Sequence, residues 1–292
     1  MVVPTDISFP PIRRLGPGDL AHCAALSVDR GWAPERAKWS LLLAASEVFG
    51  IDAPDGRGLA GSVTLTRWGA DYAAVGMMLA AARYERRGLG RALMEHALRA
   101  AGDGATVTLF ATDMGRPLYE KLGFAAVGRN VSFVGRFQAP SRHDGRGVRA
   151  ATEADLPAIL DLDRAAFGAD RGRILTRLPA FADRIAVAEA SGPAGQGIAG
   201  YAAAWRNTPA STVIGPLVAP DGETARRLIT ALAAGASAQV RLDLDPDRTE
   251  LPGWLHARGL EPADRRVVMA YGEVTGRGAQ GHLFAPISVA LA

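Results

Sequence analysis

Residues 77–94 read Met-Met-Leu-Ala-Ala-Ala-Arg-Tyr-Glu-Arg-Arg-Gly-Leu-Gly-Arg-Ala-Leu-Met, and this stretch decides the fold. The apolar run Tyr72–Ala82 reads as a strand that feeds a short turn, Glu85-Arg86-Arg87-Gly88-Leu89-Gly90. The turn opens a helix over Arg91–Ala101. Leu93, Met94, Ala97, Leu98 and Ala101 share one helical face, and Arg91, Glu95 and Arg99 share the other. A glycine-bearing turn at a helix N-terminus favours anions, because free backbone N–H groups point out of it and the helix dipole is positive there. Glycine also lets the backbone approach the anion closely.

Two mononucleotide motifs do not fit this loop. A nucleotide-triphosphatase phosphate loop needs Lys after its last glycine, and Arg91 stands there. A dinucleotide fingerprint needs a third glycine, and Gly88-Leu89-Gly90 is followed by Arg91-Ala92-Leu93. Alone, the loop is also compatible with an ordinary strand-to-helix turn.

The residues that follow separate these readings. Ala105–Ala111 is short, apolar and rich in β-formers, so it reads as a strand. After it comes Asp113-Met114-Gly115-Arg116-Pro117-Leu118-Tyr119-Glu120-Lys121-Leu122-Gly123-Phe124, a short helix stopped by Gly123. A last strand, Phe124–Phe137, follows. In these two elements, in this order and spacing, the chain resembles the GNAT superfamily of N-acetyltransferases. The loop resembles that family's R/Q-x-x-G-x-G/A pyrophosphate turn, and the later strand–helix element carries the family's LYEKLGF-like segment. The resemblance runs through Ile12–Phe137 and extends more faintly beyond. It implies an α/β (α+β) fold, a mixed central sheet flanked by helices on both faces, and acetyl-CoA as co-substrate.

The resemblance also implies roles for individual residues. Arg86, Arg87, Gly88, Leu89, Gly90 and Arg91 would hold the pyrophosphate through backbone N–H groups, with Gly115 beside the cofactor. Leu79 and Ala80, at the end of the fourth strand, would pair with pantetheine and polarise the thioester carbonyl. Tyr119 stands where the family places the acid that protonates the leaving thiolate; packing at a helix–sheet junction is the competing role. One position departs from the pattern: Glu85 replaces the family's Arg or Gln. It is expected to face solvent, with Arg86 and Arg87 offsetting its charge.

Composition narrows the partners. The 292 residues suffice for two ordinary domains, and a 48% hydrophobic content lets each bury a core. The formal net charge is only +3, and no basic run is interleaved with aromatics, so nucleic acid is not an expected partner. No run of apolar residues is long enough to span a membrane, and the first residues do not read as a signal peptide. The one cysteine, Cys23, excludes an internal disulfide, fits a bacterial cytoplasm and falls in a helical, buried context. No His/Cys/Asp grouping has metal-ligand spacing, and His256 and His282 are isolated.

The second half reads as a worn copy of the first. Ile12–Leu20 lies over Val148–Leu156, Arg91-Ala92-Leu93 near Arg226-Arg227-Leu228, and Leu122-Gly123-Phe124 near Arg258-Gly259-Leu260. Strands are expected near Ile185–Glu189, Gly197–Arg206, Thr212–Val218, Gln239–Leu244 and Arg265–Tyr271. Helices are expected at Ala154–Phe167, Glu223–Ala234 and Leu251–Arg258. The polar segment Gln138–Arg146 reads as a linker, giving domains at 1–137 and 147–292. In the copy, Pro220-Asp221-Gly222-Glu223-Thr224-Ala225 replaces the cofactor loop and Leu255 replaces Tyr119. One working site is therefore expected, in the first half. The loop Phe167–Arg171 reads either as a pocket wall or as a solvated turn.

The acceptor side leaves alternatives open. Glu47, Asp52 and Asp71 are candidate bases, with deprotonation through water as the alternative. Trp32 and Trp39 form either an aromatic wall or part of the core. The expected activity is transfer of acetyl to a primary amine of a small molecule or protein, by direct attack, in a monomer or homodimer. The alternatives are an acyltransferase like the tandem enzyme that makes mycothiol, whose working site lies in its second half, and a non-catalytic acyl-CoA sensor.

Overall fold

The computed structural model describes residues 8–140, 147–190, 197–234, 236, 238–247, 250–274 and 281–291. The first half runs β1 (Arg13–Arg14), α1 (Leu20–Asp29), α2 (Arg36–Ala45), β2 (Glu47–Asp52), β3 (Leu59–Arg67), β4 (Tyr72–Ala80), α3 (Leu89–Ala101), β5 (Thr106–Ala111), α4 (Arg116–Lys121) and β6 (Ala125–Gly135). The second runs β7 (Val148–Ala150), α5 (Leu156–Phe167), α6 (Gly172–Leu175), α7 (Leu178–Phe181), β8 (Arg184–Glu189), β9 (Ile198–Thr208), β10 (Ser211–Val218), α8 (Gly222–Ala233), β11 (Gln239–Leu244), α9 (Leu251–His256), β12 (Leu260–Tyr271) and β13 (Leu283–Ala285). Most of the expected linker, residues 141–146, lies outside the described residues.

The internal repeat has a geometric signature. Arg13 Nη2 bonds Asp19 Oδ1 at 2.7 Å, and Arg149 Nη1 bonds Asp155 Oδ2 at 2.7 Å. In each copy the same aspartate caps the turn before the first helix by accepting a backbone N–H, from Gly16 or from Thr152. The two halves therefore start alike, each with an antiparallel pair, β1–β2 or β7–β8.

Their last strands are exchanged. The described residues form a 13-stranded sheet in the order β1-β2-β3-β4-β5-β12-β6-β11-β10-β9-β8-β7, with β13 on β10. Thus β12, the late strand of the second half, pairs with β5 of the first, Val267 opposite Ala111 through Tyr271 opposite Val107. Reciprocally, β6 pairs with β11, Val131 opposite Leu244 through Gly135 opposite Val240. The mixed sheet expected of each half is present, and the exchange joins the two into one. It leaves no free edge at β5 or β11, where unpaired backbone groups would invite aggregation.

Helices cover both faces of the first-half sheet. A side chain at Gly61 of β3 would meet Leu93 of α3, whereas neighbouring side chains of a strand point the other way, toward α1. In α3, Leu89, Leu93, Met94, Ala97 and Ala101 are buried, which matches the apolar face read from sequence. Full burial of a side chain the size of Leu93 or Met94 contributes about 1.5–3 kcal/mol. Trp39 is wholly buried and donates from Nε1 to Ser27 Oγ at 2.9 Å, so of its two readings the core one holds. Cys23 is also buried, and desolvation pushes its thiol up to about 12, so it stays protonated and unreactive.

Candidate active site

The site begins with a flaw in β4. The strand pairs in parallel with β5 only over Tyr72–Val75, opposite Thr106–Leu109, and then runs on to Ala80 with no partner strand on that side among the described residues. At Met77 the backbone turns to φ 44, and the register against β3 slips between Ser62 and Thr64. This is a bulge: an extra residue bends the strand away from its neighbour. Ser62 Oγ pins it by donating to the Met77 carbonyl at 3.0 Å. Leu79 and Ala80, opposite Ser62 and Gly61, lie on the diverging arm.

The loop after β4 is built to present N–H groups. The backbone N–H of Ala82 donates to Asp29 Oδ2 at the end of α1, at 2.7 Å, which anchors the loop start. Arg86 and Gly88 both have positive φ, 59 and 78, and Gly88 is the residue on which α3 begins. Alternation of such residues turns successive N–H groups inward, and the first turn of α3 leaves its own N–H groups unpaired. Gly90 is needed for a different reason. A side chain there would lie 3.2 Å from Leu118 Cδ2, where α3 packs on α4. Glu85 is drawn off the loop by Arg30, with Arg30 Nη1 2.5 Å from Glu85 Oε1, and its side chain is half exposed. Arg91 pairs with Glu95 one turn on, at 2.8 Å.

Tyr119 lies in α4, buried, and lines a cavity with the bulged strand. Its ring rests on Gly115, where an added Cβ would come 2.9 Å from the ring edge and 3.2 Å from the hydroxyl. Phe124 packs beside it, ring centres 5.9 Å apart. Burial pushes the phenol up to about 12, so it carries its proton throughout the neutral range.

The cavity, about 810 Å³, lies between the halves. Trp32, Glu35 and Lys38 approach from the α1–α2 side, and Val75–Met78, Leu109 and Tyr119 form the wall of the first half. Asn207, Arg241 and Asp264–Arg266 come from the second half, and Val289 and Ala290 from the segment after β13. Trp32 thus takes the wall role weighed for it. The candidate bases do not reach this space. Asp52 is held by Arg13 at 2.7 Å and kept below the usual carboxylate range by that bond. Glu47 pairs with Arg67 at 2.6 Å, and neither these two nor Asp71 lines the cavity. The lining acids are Glu35, Asp113 and Asp264. Sequence reasoning missed them because Asp264 enters only through the strand exchange, and because Glu35 adopts a left-handed backbone, φ 44, that no local pattern announces.

The second half repeats the frame with two differences. Strand β10 parts from β11 after Val213, opposite Arg241, with its own irregularity between Ile214 and Leu217. Here β13 fills the opening, pairing Ala285 with Leu217 and Leu283 with Val218. At the head of α8, Asp221 accepts the N–H of Thr224 through Oδ1 at 2.7 Å, so a carboxylate of the chain already occupies that helix N-terminus. Leu255 is fully buried. The loop Phe167–Arg171 is no solvated turn at its far end: Arg171 is buried in a two-bond pair with Asp163, Nε–Oδ1 2.9 Å and Nη2–Oδ2 2.5 Å.

A bulged, splayed strand followed by an N–H-lined turn into a helix defines an acyltransferase-type fold, and here that frame occurs twice. A family model described as an acetyltransferase (GNAT) domain matches residues 45–126, and a second of the same description matches 159–285. A Bacillus subtilis relative, the uncharacterized N-acetyltransferase YitH, is 31% identical over 218 residues, which cover 74% of this chain and 76% of the relative. The chain belongs to the GNAT acetyltransferases and carries two such domains in tandem. Solved structures share the fold. A Pyrococcus horikoshii chain proposed to be an acetyltransferase superposes with a TM-score of 0.80 at 19% identity, covering 99% of this chain and 98% of that one. A tandem GNAT protein from the clavulanic acid biosynthesis pathway superposes with a TM-score of 0.66 at 18% identity, covering 91% and 99%.

Proposed function

We propose that this acetyltransferase uses acetyl-CoA at a single site in the first domain, residues 1–137, and acetylates a primary amine by direct attack. Residues 138–146 link it to a divergent second domain, 147–292. The observation that carries the reading is the contrast between the two openings. Among the described residues, the splay beyond Val75 in the first domain lacks a partner strand and the head of α3 lacks a capping side chain. In the second, β13 and Asp221 fill the corresponding positions. The same contrast argues against the arrangement of the mycothiol-forming enzyme, with its working site in the second half.

The chemistry follows from the residues. N–H groups of Arg86–Arg91 hold the pyrophosphate, and Gly115 keeps the wall beside Tyr119 thin. The free edge of β4 at Leu79 and Ala80 receives pantetheine as a strand and polarises the thioester carbonyl. The acceptor sheds one proton to water in the cavity and attacks as a neutral amine. The C–N bond forms and the C–S bond breaks. Tyr119 gives its proton to the departing sulfur and regains one from the nitrogen, so the products are an amide and free CoA thiol.

Calorimetric titration with acetyl-CoA tests this reading. One site per chain is expected, lost in Gly88→Val and retained in Glu223→Ala. Two sites, or none, would refute it.

A further inference from the structure

The cavity wall supplied by the second domain is charged in an unbalanced way. Arg241 Nη2 lies 2.9 Å from the buried Asp243. Arg266 Nη1 donates to Ser132 Oγ at 2.9 Å, the same hydroxyl that bonds Asp243. From the opposite side Lys38, also buried, lies 2.5 Å from Glu35. Arg266 Nη2 also lies 3.2 Å from Asp264 Oδ2, so each of these three cations has a carboxylate partner. The other lining acids, Asp113 and Asp264, are exposed, so water screens them. Arg265 lines the same cavity and has no partner among the described residues. Arg265 is exposed like those acids, so it is the cation of this wall left open to an incoming anion.

The same lining holds a hydrogen-bond acceptor without a donor. Asn207 Oδ1 is buried and unpaired. Glu35 Oε2, by contrast, is held by Lys38 Nζ at 2.5 Å. A buried, unpaired acceptor such as Asn207 Oδ1 requires an N–H donor.

We propose that the acceptor is a zwitterionic amine: its ammonium donates to Asn207, and its anionic group, carboxylate or phosphate, pairs with Arg241, Arg265 and Arg266. This rests on the amine-acetylating site described above and names its substrate class. The second domain then supplies acceptor recognition while the first supplies the thioester. The anionic group also fixes the direction in which the amine enters.

Matched amine pairs test it: γ-aminobutyrate against butylamine, and phosphoethanolamine against ethanolamine. Each is titrated calorimetrically into the full chain saturated with CoA, and each is assayed for acetyl transfer. In at least one pair the anionic member is expected to bind ten-fold or more tightly than its neutral partner and to be the better substrate. The two pairs separate carboxylate from phosphate. Arg241→Gln and Arg265→Gln should erase the preference while leaving acetyl-CoA affinity unchanged. Arg265, which holds no partner among the described residues, keeps the test open should Arg241→Gln fold poorly. Equal or better binding of the neutral amines, no binding by either anionic amine, or a preference that survives in Arg265→Gln would overturn the proposal. Loss of acetyl-CoA binding at the α3 loop would instead refute the cofactor reading, because amine binding is scored separately.

Discussion

Replacing Tyr119 by Phe removes one oxygen and leaves the packing against Gly115 and Phe124 in place, so its consequences are chemical. The buried phenol stands at about 12, against 10.0 for an ordinary tyrosine. At pH 7 about one molecule in 10⁵ is ionised, so the donor is always loaded. It is also a weak donor, since a thiol has a pKa of roughly 8.5 and full transfer to free thiolate runs uphill. General acids contribute ~10²–10⁴-fold, and a donor this weak belongs near ~10². Single-turnover release of CoA thiol should therefore slow about 100-fold in Tyr119→Phe, with acetyl-CoA affinity unchanged by calorimetry. A second readout needs no acceptor. A group whose folded pKa is raised gives stability that is complete below its unfolded value and lost as pH climbs through the folded one. Between pH 10 and about 12 the wild type should lose ~2.7 kcal/mol that the Phe variant does not lose. Urea unfolding at pH 9 and pH 11.5 should read about 1.9 kcal/mol of that difference. A variant with wild-type single-turnover rates would refute the acid role. Equal alkaline destabilisation in the two proteins would refute the burial argument.

Other perturbations separate binding from stability. Gly88→Val forces a β-branched residue into φ 78 where no neighbour crowds it. It should cost about 1–3 kcal/mol in urea unfolding and weaken acetyl-CoA binding at least ten-fold. Glu85→Gln breaks a half-exposed pair with Arg30, so thermal stability should change by less than ~1 kcal/mol and acetyl-CoA binding should hold or tighten. Asp163→Ala strands the buried Arg171 guanidinium, whose bonds to that carboxylate are the ones the fold supplies, and takes a partner from Tyr201. A loss of about 3–5 kcal/mol is expected by denaturant unfolding. A value under ~1 kcal/mol would mean that the site rehydrates.

The parts of this molecule visible in its sequence are those set by short-range periodicity. Helix α3 declares itself through Leu93, Met94, Ala97 and Ala101, and strand β11 is found over Gln239–Leu244 as expected. The repeat was legible because Arg13–Asp19 and Arg149–Asp155 make the same local cap. The exchange of β6 and β12 was not legible. An antiparallel strand placed between β5 and β11 has the same alternation whichever half it completes, so its partner is decided only by the whole sheet. The cavity between the halves inherited that blindness. Arg266 and Asn207 stand far along the chain from Tyr119, and nothing local marks either as facing it. The segment after β12 carried no chemistry in sequence, yet β13 closes one opening and Val289 and Ala290 line the other.

That last segment explains why one domain keeps an opening and the other does not. Gly76 in β4 and Gly215 in β10 both lie just past the last parallel pair of their strands, one residue after Val75 and two after Val213. A Cβ at Gly215 would meet the Pro286 carbonyl oxygen, and a Cβ at Gly76 the Ala290 carbonyl oxygen, both closer than any real contact allows. The backbone after β13 is thus seated on each strand in turn, with Trp205 Nε1 donating to the Ile287 carbonyl between them at 3.2 Å. In the second domain this seating places β13 along the edge of β10, where its backbone bonds satisfy groups that β4 leaves open in the first. In the first domain the same segment crosses the face of β4 and leaves the edge beyond Val75 unpaired. Closure of the second opening and shaping of the first are therefore one packing event. A Gly76→Val chain, with a branched side chain driven into backbone, should lose about 1–3 kcal/mol of stability. It should also bind acetyl-CoA as the wild type does while discriminating less among amines. If its amine selectivity is untouched, Val289 and Ala290 are walls of the cavity in shape only.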